Sequence, residues 1–131
     1  MQPNATNLTE HLEVRVDTAF LKLAGCVPVE AAVDAVTRAI IAMRGRGIRR
    51  LLVDGSRLTG FSSPSVADRY FISRCWAEAA EKQVALALVL QQHLIDPDRF
   101  GIVVATNLGM RANVFSSPAD AEEWLFNEQE A

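Results

Sequence analysis

The chain has 131 residues and a net charge of −3, with 50% hydrophobic and 22% charged residues. That length suits one domain around a single buried core, and the balance excludes a disordered chain. The acidic surplus argues against nucleic acid as a partner, and the longest apolar run, VALALVL, is too short to span a bilayer.

The chain opens on the polar residues MQPNATN, so residues 1–10 are expected to form a flexible N-terminus and residues 11–127 the one domain. No charged leader with an apolar segment stands there, which predicts a cytoplasmic protein. HLEVRVD (residues 11–17) alternates, with Leu12, Val14 and Val16 on one face of a half-buried strand. AFLKLAG (residues 19–25) follows after Asp17-Thr18, a spacing that predicts an antiparallel hairpin.

From Pro28 the period changes. Val29, Ala32, Val33, Val36, Ile40 and Met43 recur at helical steps, and Pro28 suits the first helical turn. The basic cluster MRGRGIRR (residues 43–50) then reads as the helix C-terminus, where cations meet the partial negative charge and Gly45 or Gly47 adopts the left-handed cap.

IRRLLVDG (residues 48–55) is a short strand closed by a turn at Asp54. A second helix covers residues 63–82, with Ile72, Cys75, Trp76 and Ala79 as its apolar stripe. VALALVL, apolar at every position, reads as a central strand covered on both faces. DPDRFGIVVATNLG starts with Asp96-Pro97 and is predicted to be a helix capped by Asp96, with Val103 and Val104 less exposed than Arg99 and Thr106. ANVFS (residues 112–116) is a last strand. Residues 118–127 form a last helix with Ala121, Trp124 and Leu125 inward.

The order β-β-α-β-α-β-α-β-α predicts an α/β domain with a mostly parallel sheet and an N-terminal antiparallel hairpin. Cys26 and Cys75 stand alone and are expected to be reduced, packed thiols, and no residues show metal-ligand spacing. Nucleotide-binding glycine motifs are also absent, so no cofactor is expected.

FSSP occurs twice, at residues 61–64 and 115–118. In each copy the second serine, Ser63 or Ser117, falls where an N-cap belongs, with proline at the first helical position. Asp120, three residues after Ser117, completes a capping-box-like arrangement. Ser63 differs in its place, because it follows the C-terminal end of a strand, where α/β sheets bind ligands.

LLVDGSRLTGFSSPSVADRYF resembles the corresponding stretch of SpoIIAA-like proteins, the STAS and STAS/SEC14-like superfamily. DPDRFGIVVATNLGMRANVFSSPADAEEWL is similar to the end of those domains. The resemblance implies a single SpoIIAA-like (STAS-type) domain serving as a small, non-enzymatic regulatory or ligand-sensing module. In anti-sigma-factor antagonists of that superfamily a partner kinase phosphorylates a serine preceded by aspartate. By position the pair falls on Ser62 and Ser63, so Ser62 stands where the aspartate would be, and Pro64-Ser65 replace a Ser-Gly pair.

The candidate binding or phosphorylation residues are therefore Asp54, Ser62, Ser63 and Ser65, meeting a protein partner or small ligand. A homodimer is compatible with this reading. The second reading is a small apolar-ligand, lipid-like carrier with a groove between the second and third helices lined by Phe71 and Trp76. A third is a hydrolase using Asp54, Ser63 and His93.

Overall fold

The computed structural model describes residues 8–127. In chain order it contains β1 (Thr9–Arg15), β2 (Thr18–Cys26), α1 (Val29–Gly45), β3 (Arg50–Thr59), α2 (Val66–Ala80), β4 (Ala85–Val89), α3 (Phe100–Asn107), β5 (Ala112–Phe115) and α4 (Pro118–Asn127), with a 3₁₀ turn (Gln92–Leu94) before α3. The strands form one sheet in the order β1-β2-β3-β4-β5. Only β1 and β2 pair antiparallel; every later pair is parallel. The element order and sheet are those the sequence predicts.

Side chains alternate across the sheet, so neighbours in β3 and β4 serve opposite layers. Leu51, Val53 and Leu86 face α1, α2 and α3, meeting Val36, Ile40, Met43, Ala77 and Ala105. Leu52, Ala85, Ala87 and Val89 face the other way and are covered by Ala121 and Leu125 of α4. Burial on both faces explains why β4 has no polar side. Fully burying each of these larger aliphatic side chains contributes about 1.5–3 kcal/mol.

The helix ends follow local chemistry. At the end of α1 the Gly47 amide donates to Arg44 O at 3.1 Å and the Ile48 amide to Met43 O at 2.9 Å. Gly47 has φ 74°, so this is the left-handed cap that the basic cluster predicts. Pro28, expected inside the first turn, instead occupies the N-cap position, and the helix begins at Val29. The end of α3 repeats the cap, with Gly109 at φ 90° and the Met110 amide donating to Ala105 O at 2.9 Å.

Other expectations are corrected. Strand β1 starts at Thr9, inside the stretch assigned to a flexible N-terminus; residues 1–7 of that stretch lie outside the described residues. Because β1 is an edge strand, Leu12 remains 43% exposed, although it pairs with buried Leu21. The hairpin turn is Val16-Asp17 rather than Asp17-Thr18, since Arg15 pairs with Thr18, and Val16 is 98% exposed. In α2 the buried residues are Ser73, Ala77, Ala79 and Ala80, while Cys75 points outward. The small Ser73 meets α3 at Gly101, where a Cβ would lie 2.9 Å from its Oγ, so the two helices approach closely there. Cys26 is also exposed, against the expectation of packed thiols. In α3 the short helix buries Ala105 and leaves Val103 51% exposed, so Val103 is not the inward residue its hydrophobicity predicts.

Candidate functional site

The candidate site begins where β3 outruns β4. Asp54 pairs with Val89, the last residue of β4, and β3 then continues along β2 to Thr59. The turn predicted at Asp54 is therefore a bulge within a longer strand. Lys22 pairs with Asp54 and Ala24 with Arg57, so Leu23 alone opposes Gly55 and Ser56. The Asp54 carboxylate holds the extra residue, its Oδ1 accepting from the Ser56 amide at 3.0 Å and from Ser56 Oγ at 2.7 Å. Beyond the end of β4 a side chain takes over the missing pairing: Gln91 Nε2 donates to Ser56 O at 2.9 Å. These bonds carry the strand past the sheet edge and aim the following loop.

Gly60 makes the turn out of β3. It has φ 102°, and a Cβ there would lie 2.7 Å from both the N and the O of Val27. The loop then runs through Phe61, Ser62, Ser63, Pro64 and Ser65 to α2. The N-cap of α2 is Ser65, whose Oγ accepts from the Asp68 amide at 3.1 Å, and not Ser63. The predicted cap at Ser117 does form, accepting from the Asp120 amide at 3.3 Å. Both real caps have aspartate three residues on. That spacing, not FSSP, was the usable signal.

Freed from capping, Ser63 Oγ accepts a hydrogen bond from Nη2 of Arg69. Arg69 also donates through Nε to Pro64 O at 3.0 Å and through Nη2 to Leu94 O at 3.4 Å. One guanidinium thus ties the serine loop to the segment after β4. Ser62 and Ser63 are exposed, and so is the first part of α2: Val66 and Phe71 are each 64% exposed and Tyr70 is 39% exposed. Tyr70 and Phe71 meet edge to face at 5.5 Å.

Under the loop lies a cavity of about 140 Å³ between the sheet and the three helices. Leu23, Val53 and Leu86 form its sheet wall, and Trp76, Ile102 and Ala105 are among its helical lining. Phe61, Pro64, Arg69, Asp96 and Arg99 also line it, all at least partly open to solvent. Of the two predicted groove residues, Trp76 faces this space and Phe71 does not. Trp76 is oriented by its ring N–H, which donates to Thr37 Oγ1 at 3.1 Å.

The N-cap position of α3 is Arg99 rather than the predicted Asp96, which lies four residues before Phe100 yet still satisfies the first free amide of the helix. The Asp96 carboxylate accepts from the Phe100 amide at 2.9 Å and the Asp98 amide at 3.0 Å. Those amides, with Arg69 adding a smaller attraction, hold its carboxyl below the usual range. Arg99, at φ 53°, donates through Nη1 to Asn113 Oδ1 on β5. Sequence reasoning missed Arg69 and Arg99 as site residues, because neither lies in a motif and only packing brings them to one cavity.

The residues of the hydrolase reading have other partners. Asp54 is engaged by Ser56 and Ser63 by Arg69, and among the described residues no hydrogen bond joins either to exposed His93. Among the described residues no group of three or more His, Cys, Asp or Glu side chains could hold a metal ion, and no helix is long and apolar enough to cross a membrane.

No protein-family model and no curated protein matches this chain. Among solved structures it is similar to an anti-sigma factor antagonist from Mycobacterium paratuberculosis, with a TM-score of 0.57 and 16% identity over 95% of this chain and 97% of the other. The fold is STAS-like, the type seen in SpoIIAA-like domains.

Proposed function

We propose that this STAS-type domain is a small regulatory module that binds a protein partner through the loop of residues 60–65 and the exposed start of α2. The observation that carries the reading is the apolar group Val66, Tyr70 and Phe71, exposed within two turns of the serine loop. Clustered apolar and aromatic side chains on an outer helix face favour protein contact, since covering them removes water from surface the fold leaves bare. The similar Mycobacterium paratuberculosis protein is described as an anti-sigma factor antagonist, a role directed at another protein factor, which supports the same mode here.

Within the predicted set, Asp54 and Ser65 serve the loop's shape, one through the bulge and one through the cap. Ser62 and Ser63 are left to meet the partner, and Ser63 is the charge-sensitive position. A negative group on it would sit against Arg69 and at the start of α2, where anions are favoured.

The test is capture of proteins from native lysate by tagged variants of unchanged melting temperature. Wild type and Ile41→Asp, altered on the exposed face of α1, are expected to capture the same species. Phe71→Asp should lose it and Ser63→Asp should alter its recovery. Equal capture by Phe71→Asp and wild type would reject this face as the docking surface.

The second reading, an apolar-ligand carrier, is favoured by the cavity of about 140 Å³ beside Trp76. Mass spectrometry of an organic extract of the purified protein tests it: a retained apolar compound supports a carrier, and an empty extract removes that support.

A further inference from the structure

We propose that the cavity is a binding site for a small monocarboxylate with an apolar body of about six carbons, its tail against Trp76 and its carboxylate at Arg69 and Arg99. The inference rests on the second reading above, that the cavity takes an apolar ligand, and adds the chemistry of the head group.

Size sets the tail. The cavity of about 140 Å³ is close to an engineered apolar cavity of roughly 150 Å³ that stays dry and takes up benzene. Its inner wall is mostly aliphatic, with Leu23, Val53, Leu86 and Ala105 and the single buried hydroxyl of Ser73, so an apolar body gains contacts there that water cannot make.

Charge sets the head. The partly exposed side of the cavity carries two arginines and one aspartate, Arg69, Arg99 and Asp96. The Asp96 oxygens are occupied by the Phe100 and Asp98 amides, so the carboxylate is held by its own helix start. One surplus positive charge remains, which matches a monoanion rather than a doubly charged phosphate monoester. The guanidiniums also have donors to offer. Arg69 uses Nε and Nη2 for Pro64, Ser63 and Leu94, leaving Nη1, and Arg99 uses Nη1 for Asn113, leaving Nε and Nη2. A planar carboxylate is the natural acceptor for the fork that Arg99 leaves and for the single nitrogen of Arg69, and charge-assisted bonds of this kind are about twice as strong as neutral ones.

The site also touches the docking loop. A ligand on Nη1 of Arg69 engages the same guanidinium that holds Ser63 and Pro64, so occupancy restrains the arginine that shapes the loop.

The experiment titrates the full chain with hexanoate and with 1-hexanol, following heat of binding and the fluorescence of Trp76 in a Trp124→Phe background. Hexanoate is expected to bind about tenfold more tightly than hexanol, the difference one charge-assisted pair supplies. Arg69→Gln and Arg99→Gln should each remove most of that preference and leave hexanol unchanged, while Ala105→Leu, which fills the tail space, should weaken both. Arg99→Gln carries the test even where loss of the Arg69 contacts unsettles the loop. Equal binding of the two probes, or hexanoate affinity unaltered in both arginine variants, overturns the carboxylate assignment while the apolar-ligand reading stands. Failure of both probes to bind at millimolar concentration overturns the two together. Hexanoate binding untouched by Ala105→Leu would place the acid on the surface and also overturn the proposal.

Discussion

Arg69 reaches across from α2 to donate a hydrogen bond to Ser63, and the same side chain lines the cavity beneath the loop. One residue therefore belongs to both candidate sites, the docking face outside and the apolar space inside. Its other bonds, to Pro64 O and Leu94 O, anchor the loop to the segment that follows β4. Any change that moves Arg69 is felt on both sides.

The caps make the first prediction. Ser65→Ala and Ser117→Ala each remove an N-cap and should destabilise the fold by about 0.5–2 kcal/mol. Ser63→Ala removes only an exposed side-chain contact and should cost less than either. Urea unfolding of the three variants checks the order; a cost at Ser63 equal to that at Ser65 would contradict the assigned helix start.

Glycine positions give a second, two-signed prediction. Gly60→Ala forces a Cβ to within 2.7 Å of the Val27 backbone at φ 102° and should cost roughly 1–3 kcal/mol or more. Gly45, the last residue of α1, has open space around its Cβ position, so Gly45→Ala should stabilise by several tenths of a kcal/mol, up to about 1. Thermal melts of the two variants should move in opposite directions.

Val16 makes a third. A β-branched residue at φ 56° is strained, and this one is 98% exposed, so its side chain gains almost nothing from packing. Val16→Gly should therefore raise stability by about 0.4–1 kcal/mol, because glycine suits the first position of a two-residue hairpin turn. An unchanged or lowered melting temperature would count against the turn geometry.

Acid supplies the fourth. The folded-state pKa of Asp96 is depressed, first by the Phe100 amide and then by that of Asp98. Its contribution is thus present above the unfolded carboxylate value of about 4 and is lost as pH falls through the lower folded value. Asp96→Asn should be less stable than wild type at neutral pH, and the gap should narrow below the carboxylate range. Urea midpoints measured across that range check it; a gap that widens on acidification would reverse the sign.

The sequence by itself determined the elements of this protein. The all-apolar run of β4 and the helical period of α1 reflect which faces meet water, and that requirement is written residue by residue. Gly47 and Ser117 were legible for the same reason, since a cap is a contact between near neighbours. Ser65 as the start of α2 was legible in the same way, through Asp68 three residues on. Tertiary structure decided the rest. The tie of Ser63 to Arg69 came only from packing, and the exposure of Leu12 depended on β1 lying at the sheet edge. Packing of α2 on α1 and α3, with Ser73 against Gly101, accompanies the orientation that brings Trp76 and not Phe71 to the cavity. Arg69 and Arg99 share that cavity although 30 positions separate them. A cavity is a volume that distant side chains fail to fill, and no local pattern in a chain encodes what is left empty once its helices have packed.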